Sequence, residues 1–325
     1  MLSQVAVVAI GRNEGDRLRQ CLDSVVGRVA VVVYVDSGST DTSVAMARER
    51  GVQVVALDMG TPFTAARARN AGVAKALSLH PGLAFIQCVD GDCEVAAGWL
   101  DTAHAFLLAN PQAAAACGRR RERYPERSVF NRLCDLEWAI PPGEVLACGG
   151  DVMLRVSALS QVGGYRDDLI AGEEPELCVR LRAKGWKIQC LDAPMTHHDA
   201  AMTRWRQWWL RSMRSGHAYA EGAHLHGAPP ERHWVRESRR AWVWGLLLPA
   251  LVVLLATLAS PAFSSLLLIY PLQMLRLFVR GQGEPRDRAL RAVFNTLSRF
   301  PEVAGQLRFV RHRLLQQRGG LIEYK

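Results

Sequence analysis

The sequence predicts an α/β fold, with a mostly parallel sheet covered by helices, followed by a helical, membrane-associated region. Three observations carry this expectation. Short β-branched runs alternate with amphipathic stretches through the first 195 residues. The strand-like runs are apolar almost throughout, as in sheets buried on both faces. After Asp199 this alternation stops and a 35-residue stretch without charge, Ala241 to Leu275, appears instead.

Candidate strands, in chain order, are Val5 to Ile10, Val29 to Val35, Val52 to Ala56, Leu83 to Val89, Ala113 to Cys117 and Ile188 to Leu191. Between them the spacing predicts helices over Asp16 to Val26, Thr42 to Arg50, Ala65 to Leu79, Gly98 to Leu108 and Glu176 to Lys184. Ligands of such sheets bind beyond the carboxyl ends of the strands, so the residues just after each strand are the place to look for chemistry.

The rear of the chain reads differently. Residues 1 to 200 hold 21 Lys and Arg against 24 Asp and Glu, a balance of −3, whereas residues 201 to 325 hold 19 against 7, a balance of +12. An acidic front argues against a nucleic-acid-binding core, and a basic, Trp-rich, apolar rear is what an anionic lipid surface attracts. Ser260-Pro261 divides the uncharged stretch into two arms of about membrane-spanning length. Arg236, Arg239 and Arg240 precede it and Arg276, Arg280, Arg286 and Arg288 follow it, which puts both ends in the cytoplasm by the positive-inside rule. A spanning hairpin, a re-entrant one holding Pro249 and Pro271, and a buried helical pair all satisfy the pattern. Trp205, Trp208 and Trp209 share a helical face beside arginines, which reads either as an interfacial helix or as one packed on the catalytic domain. Eight scattered Cys without a C-x-x-C pair read as reduced core thiols, and no basic leader marks a cleaved signal peptide.

Four segments could carry chemistry. Asp36-Ser37-Gly38-Ser39-Thr40-Asp41 follows the second strand; Asp36 can accept from a base N–H and the turn amides can face a ribose or phosphate, or the segment is a capped βα turn. Asp90-Gly91-Asp92 follows the fourth strand, where paired carboxylates call for a cation and oxygen ligands suit Mg²⁺ or Mn²⁺, unless this is an acidic turn. Arg67 and Arg69 open a helix and could bracket a base or diphosphate, or lie on a solvated face. In Gly172-Glu173-Glu174-Pro175-Glu176 the proline marks a first helical turn, whose positive end would keep Glu174 ionised and fit to act as a general base, unless the acids only cap the helix.

Taken in order, Arg12-Asn13-Glu14, VDSGSTD, ARARNAG, VDGD, Gly149-Gly150-Asp151 and GEEPEL resemble the motifs of family 2 glycosyltransferases of the GT-A fold, over roughly residues 3 to 195. The resemblance implies a nucleotide-sugar donor, a divalent metal, Mg²⁺ or Mn²⁺, and inversion at the anomeric carbon. It places Ile10, Arg12, Glu14, Asp36 and Ser37 on the nucleoside, with Arg67, Arg69 and Asp90 toward the base or diphosphate. Asp92 would bind the metal with Asp90 nearby and His198 as a further ligand, although His198 could instead pair with Asp199. Glu174 stands where the family usually has an aspartate base, with Glu173 beside it, and Gly149, Gly150, Asp151 and Glu176 fall toward the acceptor or sugar.

The expected organisation is a GT-A domain over 1–200, an interfacial Trp/Arg helical segment over 201–240, an apolar hairpin over 241–280 and a basic cytoplasmic tail over 281–325. A membrane location with the catalytic domain on the cytoplasmic side points to a lipid-linked or envelope glycan acceptor, lipids as partners and no nucleic acid. A sugar nucleotidyltransferase would carry a lysine in the loop Gly11-Arg12-Asn13-Glu14-Gly15, which has none, and a non-catalytic scaffold of the same fold is the other alternative.

Overall fold

The computed structural model describes residues 1–316 and Ile322. Two compact units emerge: the first comprises Met1–Pro125 and Glu137–Ala201, the second Glu126–Leu136 together with the chain from Met202 onward.

The first unit is built on a nine-stranded mixed sheet. Its strands are β1 (Leu2–Gly11), β2 (Val29–Asp36), β3 (Gln53–Ala56), β4 (Phe85–Asp90), β5 (Cys93–Val95), β6 (Ala113–Glu122), β7 (Gly143–Glu144), β8 (Val152–Arg155) and β9 (Lys187–His198). They run in the order β3-β2-β1-β4-β8-β6-β9-β5, with β7 paired to β9. The β3-β2-β1-β4 half is parallel, joined by α1 (Asp16–Asp23), α2 (Ser43–Glu49) and α3 (Ala65–Leu79). The three short strands that the sequence pattern does not announce, β5, β7 and β8, supply the antiparallel pairings. Val5 to Ala9 are wholly buried, as a strand covered on both faces requires. Gly72 lets α3 lie directly on β1 and β2, because a Cβ there would collide with the methyl groups of Val8 and Val35. Completing the unit are α4 (Trp99–Ala109), α6 (Val156–Gln161) and α7 (Glu173–Ala183).

Two strands outrun their expected lengths. Parallel pairing of β6 with β9 continues through Arg120↔Thr196 to Glu122↔His198, and β5 then pairs Cys93 with His198. The charged residues Arg119 to Glu122, a run that by sequence alone could be a solvated loop or meet an acceptor phosphate, thus form a strand at the site edge, because their partner strand offers the backbone hydrogen bonds.

The second unit is helical: α5 (Val129–Glu137), α8 (Trp205–His226), α9 (Val235–Trp242), α10 (Leu248–Leu258), α11 (Ile269–Arg280), α12 (Pro285–Leu297) and α13 (Arg299–Leu314). Gly216 of α8 and Gly305 of α13 bring these two backbones together, each in a place where a side chain would strike the other helix. Arg132 of α5 makes a bidentate pair with Asp287 of α12, at 2.9 and 2.7 Å, and Phe130 meets Phe294 edge-on. Trp208 is buried against Phe294 at 5.1 Å between ring centroids, within the helical unit, whereas Trp205 on the same face is exposed. The stretch expected as a tail holds α12 and α13; its residues 317–321 and 323–325 lie outside the described residues.

Val235–Leu258 and Pro261–Arg280 form two helical stretches long and apolar enough to cross a membrane. A π-helical turn, Val243–Leu247, links α9 to α10, and a 3₁₀ segment, Pro261–Leu268, precedes α11. Gly245 abuts the backbone of Arg299, and Tyr270 packs on Trp244, which fixes the base of the hairpin within this unit. Beyond it Leu251, Val253, Leu254, Leu258, Leu268 and Leu272 are exposed. The hydroxyls of Thr257, Ser264 and Ser265 all donate to carbonyls of their own helical turns, which suits an apolar surrounding.

Candidate active site

Register places three strand ends together: Gly11 lies opposite Asp36 and Ile10 opposite Asp90, so the loops after β1, β2 and β4 leave the same edge of the sheet. Asp36 is buried; its Oδ2 accepts from the amides of Gly38 and Ser39 at 3.1 and 3.0 Å, and its Oδ1 accepts from the Tyr34 hydroxyl at 3.1 Å. Asn13, at φ +55°, ties this turn to the first loop, donating its amide to Ser39 Oγ at 2.9 Å and accepting from the Thr40 amide at 2.7 Å. Arg12 is exposed on that loop, Ile10 is buried beneath it, and Glu14 pairs with Arg17 at 2.7 Å. The Ser37 hydroxyl is buried with no hydrogen-bond partner, which leaves a polar atom for a ligand to satisfy.

Asp90 stands at the centre. Arg69, itself buried, donates to Asp90 Oδ1 at 2.9 Å and to Glu173 Oε1 at 2.7 Å, clamping the end of β4 to the start of α7. Gly150 makes room for this clamp: a Cβ there would stand 2.6 Å from Arg69 Nη2 and 3.2 Å from Asp90 Oδ2. Asp151 lies underneath, wholly buried, accepting from the Asp90 amide at 3.0 Å and from the Thr196 hydroxyl at 2.7 Å. It braces the backbone of Asp90, and its burial removes it from the acceptor-facing position expected for it. Gly149, at φ +115°, shapes the same loop.

Asp92 is buried too, with Oδ2 3.2 Å from His198 Nε2. His198 therefore pairs with Asp92, across the β5–β9 pairing, and not with its neighbour Asp199. Burial and the nearby Arg120 guanidinium lower its pKa, keeping the imidazole neutral, the form a metal needs. Asp92, Cys93 and His198 hold their ligand atoms within 4.8 Å of one another, as do Asp90, Cys93 and Asp151. Burial and the Asp151 charge keep the Cys93 thiol protonated, leaving oxygen and imidazole as the donors. Carboxylates of Asp90, Asp92, Glu122, Asp151 and Glu173 crowd one region, where Arg69 pairs with Asp90 and Glu173, Arg120 with Asp90 and Asp151, and His198 faces Asp92 and Glu122. Such an excess of negative charge fits a divalent cation of the Mg²⁺ or Mn²⁺ kind.

On the opposite side α7 begins. Gly172, at φ +78°, is the N-cap, followed by Glu173, Glu174 and Pro175 in the first turn. Glu174 is half-buried, and its pKa is pushed up to about 7 by burial first and the adjacent Glu173 charge second, with Arg69 opposing. The expectation of a carboxylate ionised by the helix end is therefore corrected: desolvation and like charge outweigh the helix dipole. Glu176 is buried and bound to Arg180 at 2.8 to 3.0 Å within α7, so it too is turned away from an acceptor. Arg67 is likewise not brought to the acidic cluster. Its guanidinium donates to the carbonyls of Asp58, Thr61 and Pro62, pinning the loop after β3.

Two further residues complete the site: Arg120, from a basic run that reads by sequence as an acceptor-phosphate contact or a solvated loop, and Trp138, which the sequence did not single out. Arg120 lies 3.5 Å from both Asp90 and Asp151 and sits over the Trp138 ring at 4.6 Å. Trp138 in turn meets His198 at right angles, 4.6 Å between centroids, so one indole touches the groups facing both aspartates of the D-x-D motif. The basic run Gly118 to Arg123 was the available signal for Arg120; for Trp138 there was none.

Residues 6–149 match the family model described as Glycosyl transferase family 2. A TPR repeat-containing protein of Synechococcus elongatus is 30% identical over 136 residues, 42% of this chain and 32% of that protein, so the chain spans about a third of the curated relative. Among solved structures, the mannosyltransferase PcManGT from Pyrobaculum calidifontis in complex with GDP-Man and Mn²⁺ superposes with a TM-score of 0.63 at 18% identity, covering 95% of this chain and 88% of that one. GalNAc-T7 with UDP, GalNAc and Mn²⁺ does so at 0.51 and 15% identity, covering 78% and 58%. The sheet, its site edge and the family match converge: residues 6–149, within the first unit, belong to Glycosyl transferase family 2, and the fold is of the GT-A kind.

Proposed function

We propose that this domain transfers a sugar from a nucleoside-diphosphate sugar to a hydroxyl of a lipid-linked or envelope glycan acceptor, with inversion at the anomeric carbon. The observation that carries the reading is the placing of Asp36 and Asp90 at one sheet edge, with Arg69 clamping Asp90 to Glu173, the neighbour of Glu174 at the start of α7. The Asp36 turn and the unpartnered Ser37 hydroxyl would hold the nucleoside. Glu174 would take the proton of the acceptor hydroxyl as its oxygen bonds to the anomeric carbon and the bond to the diphosphate oxygen breaks. A carboxylate whose pKa is near 7 suits that task at neutral pH. Asp92 and His198 would hold a divalent cation, which supplies positive charge to the leaving diphosphate. Arg120 would add a second cation beside it. The solved neighbours with GDP-Man and Mn²⁺, and with UDP and Mn²⁺, support a donor and a metal of this class.

The apolar pair Val235–Leu258 and Pro261–Arg280 supports a membrane-bound enzyme with both hairpin ends on the cytoplasmic side, which is why a lipid-linked acceptor is favoured. The test is a screen of nucleotide sugars for nucleoside-diphosphate release, with and without Mn²⁺, on the wild type and Asp92→Ala. Metal-dependent release that falls roughly a hundredfold or more in the variant is expected. Undiminished release by metal-free wild type would remove the metal from the mechanism.

A further inference from the structure

The C-terminal half of α13 combines three features that no step of the transfer uses. An open surface pocket of about 510 Å³ is lined by Leu307, Arg308, Arg311 and His312, two of them guanidinium-bearing, with no carboxylate among the described lining residues. The Nδ1 of His312 is buried there without a hydrogen-bond partner. Leu307, Val310 and Leu314, spaced i, i+3 and i+7, are 45%, 39% and 78% exposed along the adjoining face of the same helix. Helical geometry therefore runs an exposed apolar stripe alongside the cationic residues. The acid of this helix, Glu302, is engaged with Arg299 at 2.6 Å, at the other end of α13.

We infer that this face of α13 binds an anionic phospholipid, its phosphate held by Arg308, Arg311 and His312 and its acyl chains lying along Leu307, Val310 and Leu314. Guanidinium groups pair with phosphate oxygens, and helices that mix basic residues with exposed leucines settle at the headgroup boundary. A free phosphate would use the arginines equally well but gives no role to the leucine stripe. The inference rests on the membrane reading above, because the exposed hairpin helices belong to the same helical unit.

Full-length protein in a neutral detergent would be titrated with phosphatidylglycerol, phosphatidylcholine or inorganic phosphate and read by native mass spectrometry. The wild type should retain one phosphatidylglycerol and discriminate against phosphatidylcholine. Arg308→Ala with Arg311→Ala should bind it roughly thirtyfold more weakly, at about 1 kcal/mol for each arginine near a lipid surface. Arg311→Ala alone, at an exposed position, should weaken binding roughly fivefold, half of that effect on a logarithmic scale, with an unchanged unfolding midpoint. Equal lipid retention by wild type and double variant would overturn the site, as would phosphate binding without lipid retention. Vesicle flotation separates the two readings: protein that floats with vesicles yet shows no preference for phosphatidylglycerol over phosphatidylcholine in the mass spectra loses only this site, whereas protein that floats with neither neutral nor anionic vesicles loses the membrane reading as well.

Discussion

Glu174→Gln should stabilise the protein at pH 8 while abolishing transfer. Glu174 has its pKa raised from 4.5 to about 7, by burial first and by Glu173 second. A carboxyl whose folded-state pKa lies above its unfolded value opposes folding once ionised. Below 4.5 it is protonated in both states and costs nothing; as pH rises to 7 the penalty grows, and above 7 it is complete. At about 1.4 kcal/mol per pH unit, the step from 4.5 to about 7 amounts to about 3 to 4 kcal/mol, an upper figure because the side chain is only half-buried. Glutamine keeps the shape and cannot ionise, so it should relieve most of this. The assay is chemical denaturation of detergent-solubilised wild type and variant at half-unit steps from pH 4 to 8.5. The difference should be near zero at pH 4, open between 4.5 and 7 and level off above 7. In parallel, wild-type transfer should rise with an apparent pKa near 7 on its acid limb. A stability difference independent of pH, or an acid limb near 4, would refute the argument from burial and like charge.

Two further substitutions separate bystanders from participants. Arg67→Ala should change turnover by less than about threefold, because Arg67 is bonded to the carbonyls of Asp58, Thr61 and Pro62, whereas Arg120→Ala should lower it roughly a hundredfold; steady-state rates at saturating donor decide. Arg132→Ala should cost about 2 kcal/mol at pH 7 by breaking the bidentate pair with Asp287. That pair lowers the Asp287 pKa, so its contribution is present above the ordinary value of 3.8 and should vanish as pH falls through the lowered one; denaturation at pH 7 and at pH 2.5 compares the two.

Much of this architecture could be read from periodicity, because local pattern and tertiary environment agree. Ala65–Leu79 is a helix at both expected ends, and the parallel strands β1, β2 and β4 are apolar runs whose only possible place is a covered sheet. Asp36, Asp90 and Asp92 were legible for the same reason: each follows such a run. What escaped was decided by partners distant in sequence. The three residues of β5 are too short to show a period, and the charged end of β6 becomes a strand only because β9 runs beside it. Asp92 meets His198 across that pairing, and Trp138 gains its place from Arg120 and His198. The ionisation of Glu174 was misjudged because the sequence displays the helix end but not the depth of burial.

The loan of Glu126–Leu136 to the helical unit has a practical consequence for dissecting this protein. The polypeptide changes unit at Pro125, again at Leu136 and a third time at Ala201, so no single cut yields two self-sufficient fragments. A fragment ending at residue 201 would carry α5 without the chain that covers Phe130 and pairs Arg132, leaving an apolar face and a cation without the partners they have here. Recombinant work on the transferase domain should replace residues 126–136 with a short polar linker. Even then, Trp138 would begin only two residues after the splice, so donor binding must be checked before such a fragment is trusted as a miniature of the whole.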